Sequence, residues 1–201
     1  PFIVENGAAI YKMNLVNSDF PEKIILSRDK KEILNVFLRK IPKEFISKCK
    51  FVLKLKKDEQ LKIFGLSEKQ LSYASDREFS VPLLFKGNKV EKNNLFRLVS
   101  NMGLTMQEGG RVINLSDNVS KSFAMKKVKR IFEKTEKQKL KIIGVGDNFN
   151  DLDMLKNSDI ACLVFNEKFK LDTLNINNCL VSKKSAPEGW EEVVKMALEK
   201  I

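Results

Sequence analysis

The sequence predicts an α/β fold, a parallel sheet covered by helices and interrupted by an inserted segment of α+β character. Three observations carry this. Strand-like and helix-like stretches alternate over residues 112–201, as a parallel layer requires. Residues 19–111 break that rhythm with short helices and strands in no regular order. The chain has 201 residues, 43% of them hydrophobic and 31% charged, which suits an ordinary globular protein of one large domain or two small ones.

The elements follow in order. "PFIVEN" and "AAIYKM" read as two short strands joined by a turn at Gly7, and residues 1–18 form a first, partial piece of the core. The insert opens with "DKKEILNVFLRKI", where Ile33, Leu34, Phe37, Leu38 and Ile41 fall at helical spacing and Pro42 ends the pattern. "DEQLKIFG" is a short helix stopped by Gly65, and "SEKQLSYASD" another, capped by Ser67 with Leu71 and Ala74 inward. "FSVPLLF" is strand-like, and its Pro82 suggests an edge position. "KNNLFRLVSNMG" is a helix ending at Gly103, and "LTMQ" and "RVINLS" are strands around the "EGG" turn. In the second piece of the core, "VSKSFAMKKVKRIFEK" places Phe123, Ala124, Val128, Ile131 and Phe132 on one helical face. "LKIIGVG" is a buried-type strand, "NDLDMLKNS" a helix, "DIACLVF" a strand and "NCLVS" a candidate last strand. "SAPEGWEEVVKMALEK" opens with a capping box from Ser185 to Glu188, has Val193, Val194 and Leu198 as its apolar face, and packs through Trp190.

Composition excludes whole classes of chemistry. There is no histidine, so Ser-His-Asp and Cys-His arrangements, histidine bases and histidine-ligated metals are ruled out within the chain. Any metal must be held by oxygen, which points to Mg²⁺ or Mn²⁺. Cys49, Cys162 and Cys179 are widely spaced and odd in number, so they suggest neither a zinc site nor a disulfide framework, and a reducing cytoplasm is the expected home. No apolar run approaches the ~20 residues that span a bilayer, so no membrane partner is expected. Nor does the first stretch resemble a signal peptide; Pro1 leads at once into strand-like sequence, which suggests further chain upstream.

Net charge is +11, from 37 basic and 26 acidic residues. Such a balance suits an anionic partner, either nucleic acid or a phosphorylated small molecule, and it also suits a lysine-rich solvated surface. The basic residues are dispersed, mostly lysine, without interleaved aromatics or a basic tail. That pattern argues against nucleic acid.

The stretch "IIGVGDNFNDLD" concentrates carboxylates at the end of a strand, where open α/β sheets bind their ligands. Gly144 and Gly146 let the backbone approach a ligand or turn tightly. A helix starting near Phe149 or Asn150 puts Asp147 and Asp151 at i and i+4, close enough to serve one centre. Asp153 faces elsewhere, as a partner for the helix dipole. Two near carboxylates with no local arginine repel each other unless a cation sits between them, so a magnesium site is physically sensible. A helix N-terminus decorated with Asp and Asn fits the same spacing equally well. A dinucleotide fingerprint does not, because the third glycine is absent. Lys121 begins the preceding helix, where its charge adds to the positive helix end and suits a phosphoryl group; it is also one lysine among many.

Together, these features resemble the haloacid dehalogenase superfamily of phosphatases. "GDNFND", Gly146 to Asp151, matches that superfamily's metal-binding G-D-x-x-N-D motif, and Lys121 in "NVSKSFAM" fits its phosphate-neutralising lysine. "PFIVENGAAIY" resembles the "ENGA" segment that precedes the large inserted α/β cap of one branch. The fold implied is a Rossmann-like core, here without its first strands, with residues 1–18 and 112–201 in the core and 19–111 as the cap that selects substrate. Within that branch, "IFGLSEKQLSYASDREFSVPLLF", "EGGRVINL" and "SAPEGWEEVV" resemble the mannosyl-3-phosphoglycerate phosphatases, in the expected order along nearly the whole chain. Three positions depart: Val81 stands where that family has Glu, Asn114 stands near its usual histidine, and Phe149 is bulkier than the usual residue. They bear on the sugar rather than on phosphoryl chemistry.

The resemblance implies a Mg²⁺-dependent phosphatase acting on a phosphorylated sugar or glycerate ester through an aspartyl-phosphate. Asp147 would ligate Mg²⁺. Asp151 would bind metal-held water or orient Lys121, which would stabilise the transferring phosphoryl group, and Asn150 would hydrogen-bond it. In the insert, Arg77 and Arg111, with Gly110 beside the latter, would clamp the substrate carboxylate, and Asn6 would touch a sugar hydroxyl. Simpler readings exist for two of these, a helix C-terminal cation for Arg77 and a turn former for Asn6. The nucleophile of such enzymes lies in a D-x-D-x-T motif that occurs nowhere in this sequence. It is expected on one or two βα units, about thirty to sixty residues, preceding Pro1. A broader sugar-phosphate or sucrose-phosphate-type phosphatase, or an inactive fragment that binds an anionic ligand, remains an alternative.

Overall fold

The computed structural model describes residues 1–167, 176 and 179–201. The chain divides into two units, residues 1–24 with 120–201 and residues 25–119.

In the first unit, β1 (Phe2–Val4) and β2 (Ala9–Tyr11) form an antiparallel hairpin, with β3 (Lys23–Ile25) beside β2. Glu5 and Asn6, both at positive φ, make the hairpin turn, and the Gly7 N–H closes it on the Val4 carbonyl at 3.1 Å. Two left-handed central residues give the type I′ geometry that matches strand twist. Gly7 is required for a second reason. Its φ is +105°, and a Cβ there would lie 2.3 Å from the Ser120 carbonyl oxygen, so the turn rests against the start of the helix that follows Ser120.

The same unit holds a parallel sheet of order β10-β9-β8, formed by β8 (Ile143–Gly146), β9 (Ile160–Leu163) and β10 (Cys179–Val181). Its faces are covered separately, as parallel sheets demand. Cys162 and Leu180 pack with Val193 and Ala197 on one side, while Ala161 and Leu163 pack with Leu155 on the other.

In the second unit, four antiparallel strands run in the order β4-β5-β7-β6: β4 (Cys49–Phe51), β5 (Ser80–Phe85), β6 (Leu104–Glu108) and β7 (Ile113–Asp117). Helices α1 (Lys30–Lys40) and α5 (Lys89–Ser100) supply Ile33, Phe37, Leu95 and Val99 to a core with Val81, Leu83 and Leu115. Between α1 and β4 lies the single turn α2 (Lys43–Ile46). Helices α3 (Lys57–Phe64) and α4 (Glu68–Ser75) give Phe64 and Leu71 to a smaller cluster with Val52 and Val112. Gly65 ends α3 in the left-handed region, and Ser67 with Gln70 closes a capping box on α4. Asp117 binds the Arg28 guanidinium at 2.6 Å.

Several details differ from expectation. The strand β7, expected in the second piece of the core, pairs with β5 and β6 and so belongs to the unit of residues 25–119. Pro82 lies on an interior strand. On its β4 side, however, the ladder begins only at Leu83, so Pro82 has a strand neighbour on one side, opposite Asn114. The last helix, α8 (Glu188–Leu198), has Pro187 at its N-cap and no side-chain cap, so the box from Ser185 to Glu188 does not form; Ser185 contributes its carbonyl to the Gly189 N–H. Its buried stripe is Gly189, Val193 and Ala197, while Trp190 is 53% exposed and Leu198 59%. On α6 (Lys121–Glu136), Ala124 is buried but Phe123 is 58% exposed beside a groove lined by Lys127, Arg130 and Ile131. Periodicity marks a wide stripe in both helices, and the packing covers only part of it. Among the described residues, no helix is long and apolar enough to cross a membrane.

Candidate active site

Asp147 follows directly on the last residue of β8, and the Val164 N–H donates to the Gly146 carbonyl at 2.8 Å, extending the β8–β9 ladder to that point. A 3₁₀ turn, Phe149–Asp151, leads into the short helix α7 (Leu152–Lys156), whose first turn carries Asp153. The turn folds Asp151 back onto the strand end. Its Oδ2 accepts the Asp147 N–H at 3.3 Å, and a Cβ on Gly146 would lie 2.5 Å from the Asp151 Cβ. Gly146 therefore makes room for the protein's own carboxylate. Gly144 does the same for Ser158, whose Oγ would lie 2.1 Å from an added Cβ.

Lys121 is the first residue of α6, with Ser120 as N-cap accepting the Phe123 N–H. Its ammonium donates to Asp151 Oδ1 at 2.6 Å. Asp151 is 7% exposed, so this buried carboxylate is partnered on both oxygens, by a cation and by a backbone amide. Asp147 and Asn150, by contrast, are exposed, and among the described residues Asp147 has no ion pair. The Asn6 turn joins this neighbourhood through the contact of Gly7 with Ser120. The structure brings Lys121 to Asp151 and the Asp151 carboxylate to the Asp147 amide, with Asn150 on the turn between the two aspartates. A helix end, an ammonium and an exposed carboxylate at a sheet terminus form an arrangement that can attract an anion and a cation together.

The second unit's candidates have partners of their own. Arg77 donates through Nε to the Ala74 carbonyl at 2.9 Å and through a terminal nitrogen to Ser80 Oγ at 3.1 Å and Asn114 Oδ1 at 3.3 Å. It ties the end of α4 to β5 and β7, which agrees with the helix C-terminal reading. Arg111 donates to the Phe64 carbonyl, and its guanidinium lies against Gly65, so it caps α3. Gly110 is exposed, and a Cβ there would meet nothing within 4 Å.

One residue escaped sequence reasoning. Asn166, on the loop after β9, donates from Nδ2 to the Asp147 carbonyl at 3.1 Å and approaches its Oδ2 at 3.5 Å. No local motif announces it, because the contact arises from two parallel strands ending side by side.

A hard divalent cation fits the donor chemistry in kind. Asp147 and Asp151 offer carboxylate oxygen, and Mg²⁺ is commonly held by one or two carboxylates together with substrate phosphate. Among the described residues, no group of three or more His, Cys, Asp or Glu could enclose a metal. The set is partial, and the ion pair with Lys121 occupies one Asp151 oxygen.

No family model matches the chain. It is 29% identical, over a 210-residue alignment, to a glucosyl-3-phosphoglycerate/mannosyl-3-phosphoglycerate phosphatase of Persephonella marina, covering 100% of this chain and 77% of that one. Three solved structures share the fold. A Thermoplasma acidophilum protein has a TM-score of 0.59 at 15% identity, with 96% of this chain and 69% of that one covered. A haloacid dehalogenase subclass IIB sugar phosphatase has a TM-score of 0.57 at 15% identity, with 97% and 73% covered. A Streptococcus mutans protein has a TM-score of 0.57 at 16% identity, with 98% and 76% covered. The chain shares the mixed α/β fold of these structures, and its sequence likeness is to a phosphoric monoester hydrolase.

Proposed function

We propose that this chain carries the metal- and phosphate-handling half of a Mg²⁺-dependent phosphatase that hydrolyses a glycosyl-3-phosphoglycerate, mannosyl-3-phosphoglycerate first among them. The observation that carries the reading is the Lys121–Asp151 pair at 2.6 Å beside the exposed Asp147. The likeness to the Persephonella marina phosphatase, which extends over the whole of this chain, supports the substrate class.

In this reading, Asp147 would hold Mg²⁺, and Asp151 would bind metal-held water or orient Lys121. Bound magnesium supplies charge neutralisation to the phosphoryl oxygens. Lys121 donates to the phosphoryl group from the N-terminus of α6, already aimed, so little reorganisation accompanies the reaction. Asn150 hydrogen-bonds the same group. The second unit would select the substrate, with Arg77 and the Gly110–Arg111 turn as candidates for its carboxylate, and Asn6 of the first unit is a candidate for a sugar hydroxyl. The nucleophilic aspartate comes from a D-x-D-x-T strand that none of these 201 residues provides. The protein works in the reducing cytoplasm, consistent with its three free cysteines.

Phosphate release tests this. The complete reading frame containing Pro1–Ile201 is assayed with Mg²⁺ against mannosyl- and glucosyl-3-phosphoglycerate, sucrose phosphate and simple hexose phosphates. Preferential hydrolysis of the 3-phosphoglycerate esters, lost in Asp147→Asn, supports the reading. Equal turnover of all esters points to the broad sugar-phosphate alternative, and no turnover of any ester overturns the catalytic claim. The 201-residue chain alone is expected to release none.

A further inference from the structure

We infer that Asn166 is a positioning residue for Asp147 and that Ser182 sets the loop from which it acts; this rests on the reading of Asp147 as a metal ligand. Asn166 stands three residues beyond the end of β9. Gly146 and Leu163 are register partners, so β8 and β9 end side by side, and the ladder runs one step further through Val164. There the backbone changes partner. The Phe165 N–H donates to Ser182 Oγ at 2.8 Å, across on the β10 side, while Ser182 is itself fixed. Its N–H donates to the Leu163 carbonyl at 3.0 Å and its Oγ to the Lys184 carbonyl at 2.6 Å, and the residue is 3% exposed. With residue 165 pinned by a buried hydroxyl, the next side chain crosses the end of β8. Its Nδ2 reaches both the carbonyl, at 3.1 Å, and the carboxylate Oδ2, at 3.5 Å, of Asp147.

The chemistry of the two carboxylates then divides. Asp151 receives a full positive charge from Lys121, which compensates its own. Asp147 receives a carboxamide, which orients a carboxylate without neutralising it. One carboxylate is thereby committed to an internal cation, and the other keeps its charge for an external one. A donor shared between the carbonyl and the carboxylate of one residue also restrains its side-chain torsion. Groups that orient a metal ligand typically cost ten- to a hundred-fold in affinity when removed, and Asn166 belongs among them.

The test uses Mn²⁺ as the probe, its binding to the 201-residue protein followed by electron paramagnetic resonance, with melting temperatures recorded in parallel. Asn166→Ala is expected to bind Mn²⁺ roughly ten-fold more weakly than the wild type while melting nearly as high without metal. Ser182→Ala is expected to weaken binding in the same direction. Asn166→Asp places a second carboxylate against Asp147, so its melting temperature should fall in the absence of metal and recover on adding Mn²⁺. A merely structural side chain would change the melting temperature without changing the affinity for Mn²⁺ in Asn166→Ala. Wild-type affinity in Asn166→Ala, or no recovery in Asn166→Asp, overturns the inference and leaves the Asp147 site standing. A wild-type protein that binds no Mn²⁺ removes the Asp147 reading, and this inference with it.

Discussion

Lys121 and Asp151 lie thirty positions apart in sequence and meet at 2.6 Å, one at the start of α6 and the other just past the end of β8. The pairing fixes an ammonium at the positive end of a helix before any ligand arrives. It also gives an almost buried carboxylate a counter-charge, without which its burial would be costly.

Removing Lys121 should therefore have two separable effects. Lys121→Ala leaves the Asp151 carboxylate short of its cation, and stability should fall by about 1–3 kcal/mol in urea melts. In the complete enzyme, turnover should fall about a hundred- to a thousand-fold, the usual loss when one pre-aimed donor to a developing charge is deleted. Asp151→Asn in the Lys121→Ala background should restore much of the stability and none of the activity. Near-normal turnover in Lys121→Ala would remove the phosphoryl-binding role.

Two glycines in turns should behave oppositely. Gly7→Ala forces a side chain into φ +105° and sets its Cβ 2.3 Å from backbone oxygen at Ser120, so a loss of roughly 2–4 kcal/mol is expected from strain and overpacking together. Gly110→Ala meets open space and should shift the midpoint by less than about 0.5 kcal/mol. Thermal melts of the two variants decide it, and equal effects would contradict the close approach of the hairpin turn to Ser120.

Gly146→Ala should displace Asp151 rather than the strand. Its Cβ would come within 2.9 Å of the Asp151 Cγ, so the carboxylate must swing out and the Lys121 pair must break. Roughly 1–3 kcal/mol of stability should be lost. Lys121→Ala should then add little further loss in a double-mutant cycle. Full additivity would show that Gly146 acts independently of the pair.

How much of this was legible in sequence depends on how local each feature is. "GDNFND" is a contiguous motif, so the closeness of Asp147 and Asp151 followed from spacing, and the amphipathic pattern of its helix placed Lys121 at a helix start. Caps at Ser67 and Gly65 were equally readable. Features made by chain segments meeting from afar were not. Assigning β7 to the inserted unit needs its pairing with β5, and the interior place of Pro82 needs the short reach of β4. Arg111 stands forty-seven residues from the carbonyl it caps, and Asn166 nineteen from Asp147. Exposure of Phe123 and Trp190 shows the limit of periodicity, which marks an apolar stripe but not how much of it a neighbour covers.

Acid sensitivity should arise in the second unit from Asp117. The Arg28 guanidinium bound to it, helped by the backbone N–H groups of Arg28 and Asn118, holds its carboxyl below the usual carboxylate range. A carboxyl whose folded value lies below its unfolded one contributes stability that is complete above the unfolded value, near 4, and disappears as pH falls through the folded value. Asp117→Asn should thus lower stability at pH 7 and flatten its decline below about pH 4. Urea midpoints at pH 7, 4 and 3 test this, and a parallel decline in both proteins would exclude Asp117 as a source.

The most direct test of the central claim is the melting temperature of the 201-residue chain titrated with Mg²⁺, then with Mg²⁺ and inorganic phosphate. A ligand that binds only the folded state raises stability by RT ln(1 + [L]/Kd). The account predicts a rise with Mg²⁺ that vanishes in Asp147→Asn, and a further rise with phosphate that vanishes in Lys121→Ala. An unchanged melting temperature, or the same rise in wild type and Asp147→Asn, would contradict the claim that these residues handle a metal and a phosphoryl group.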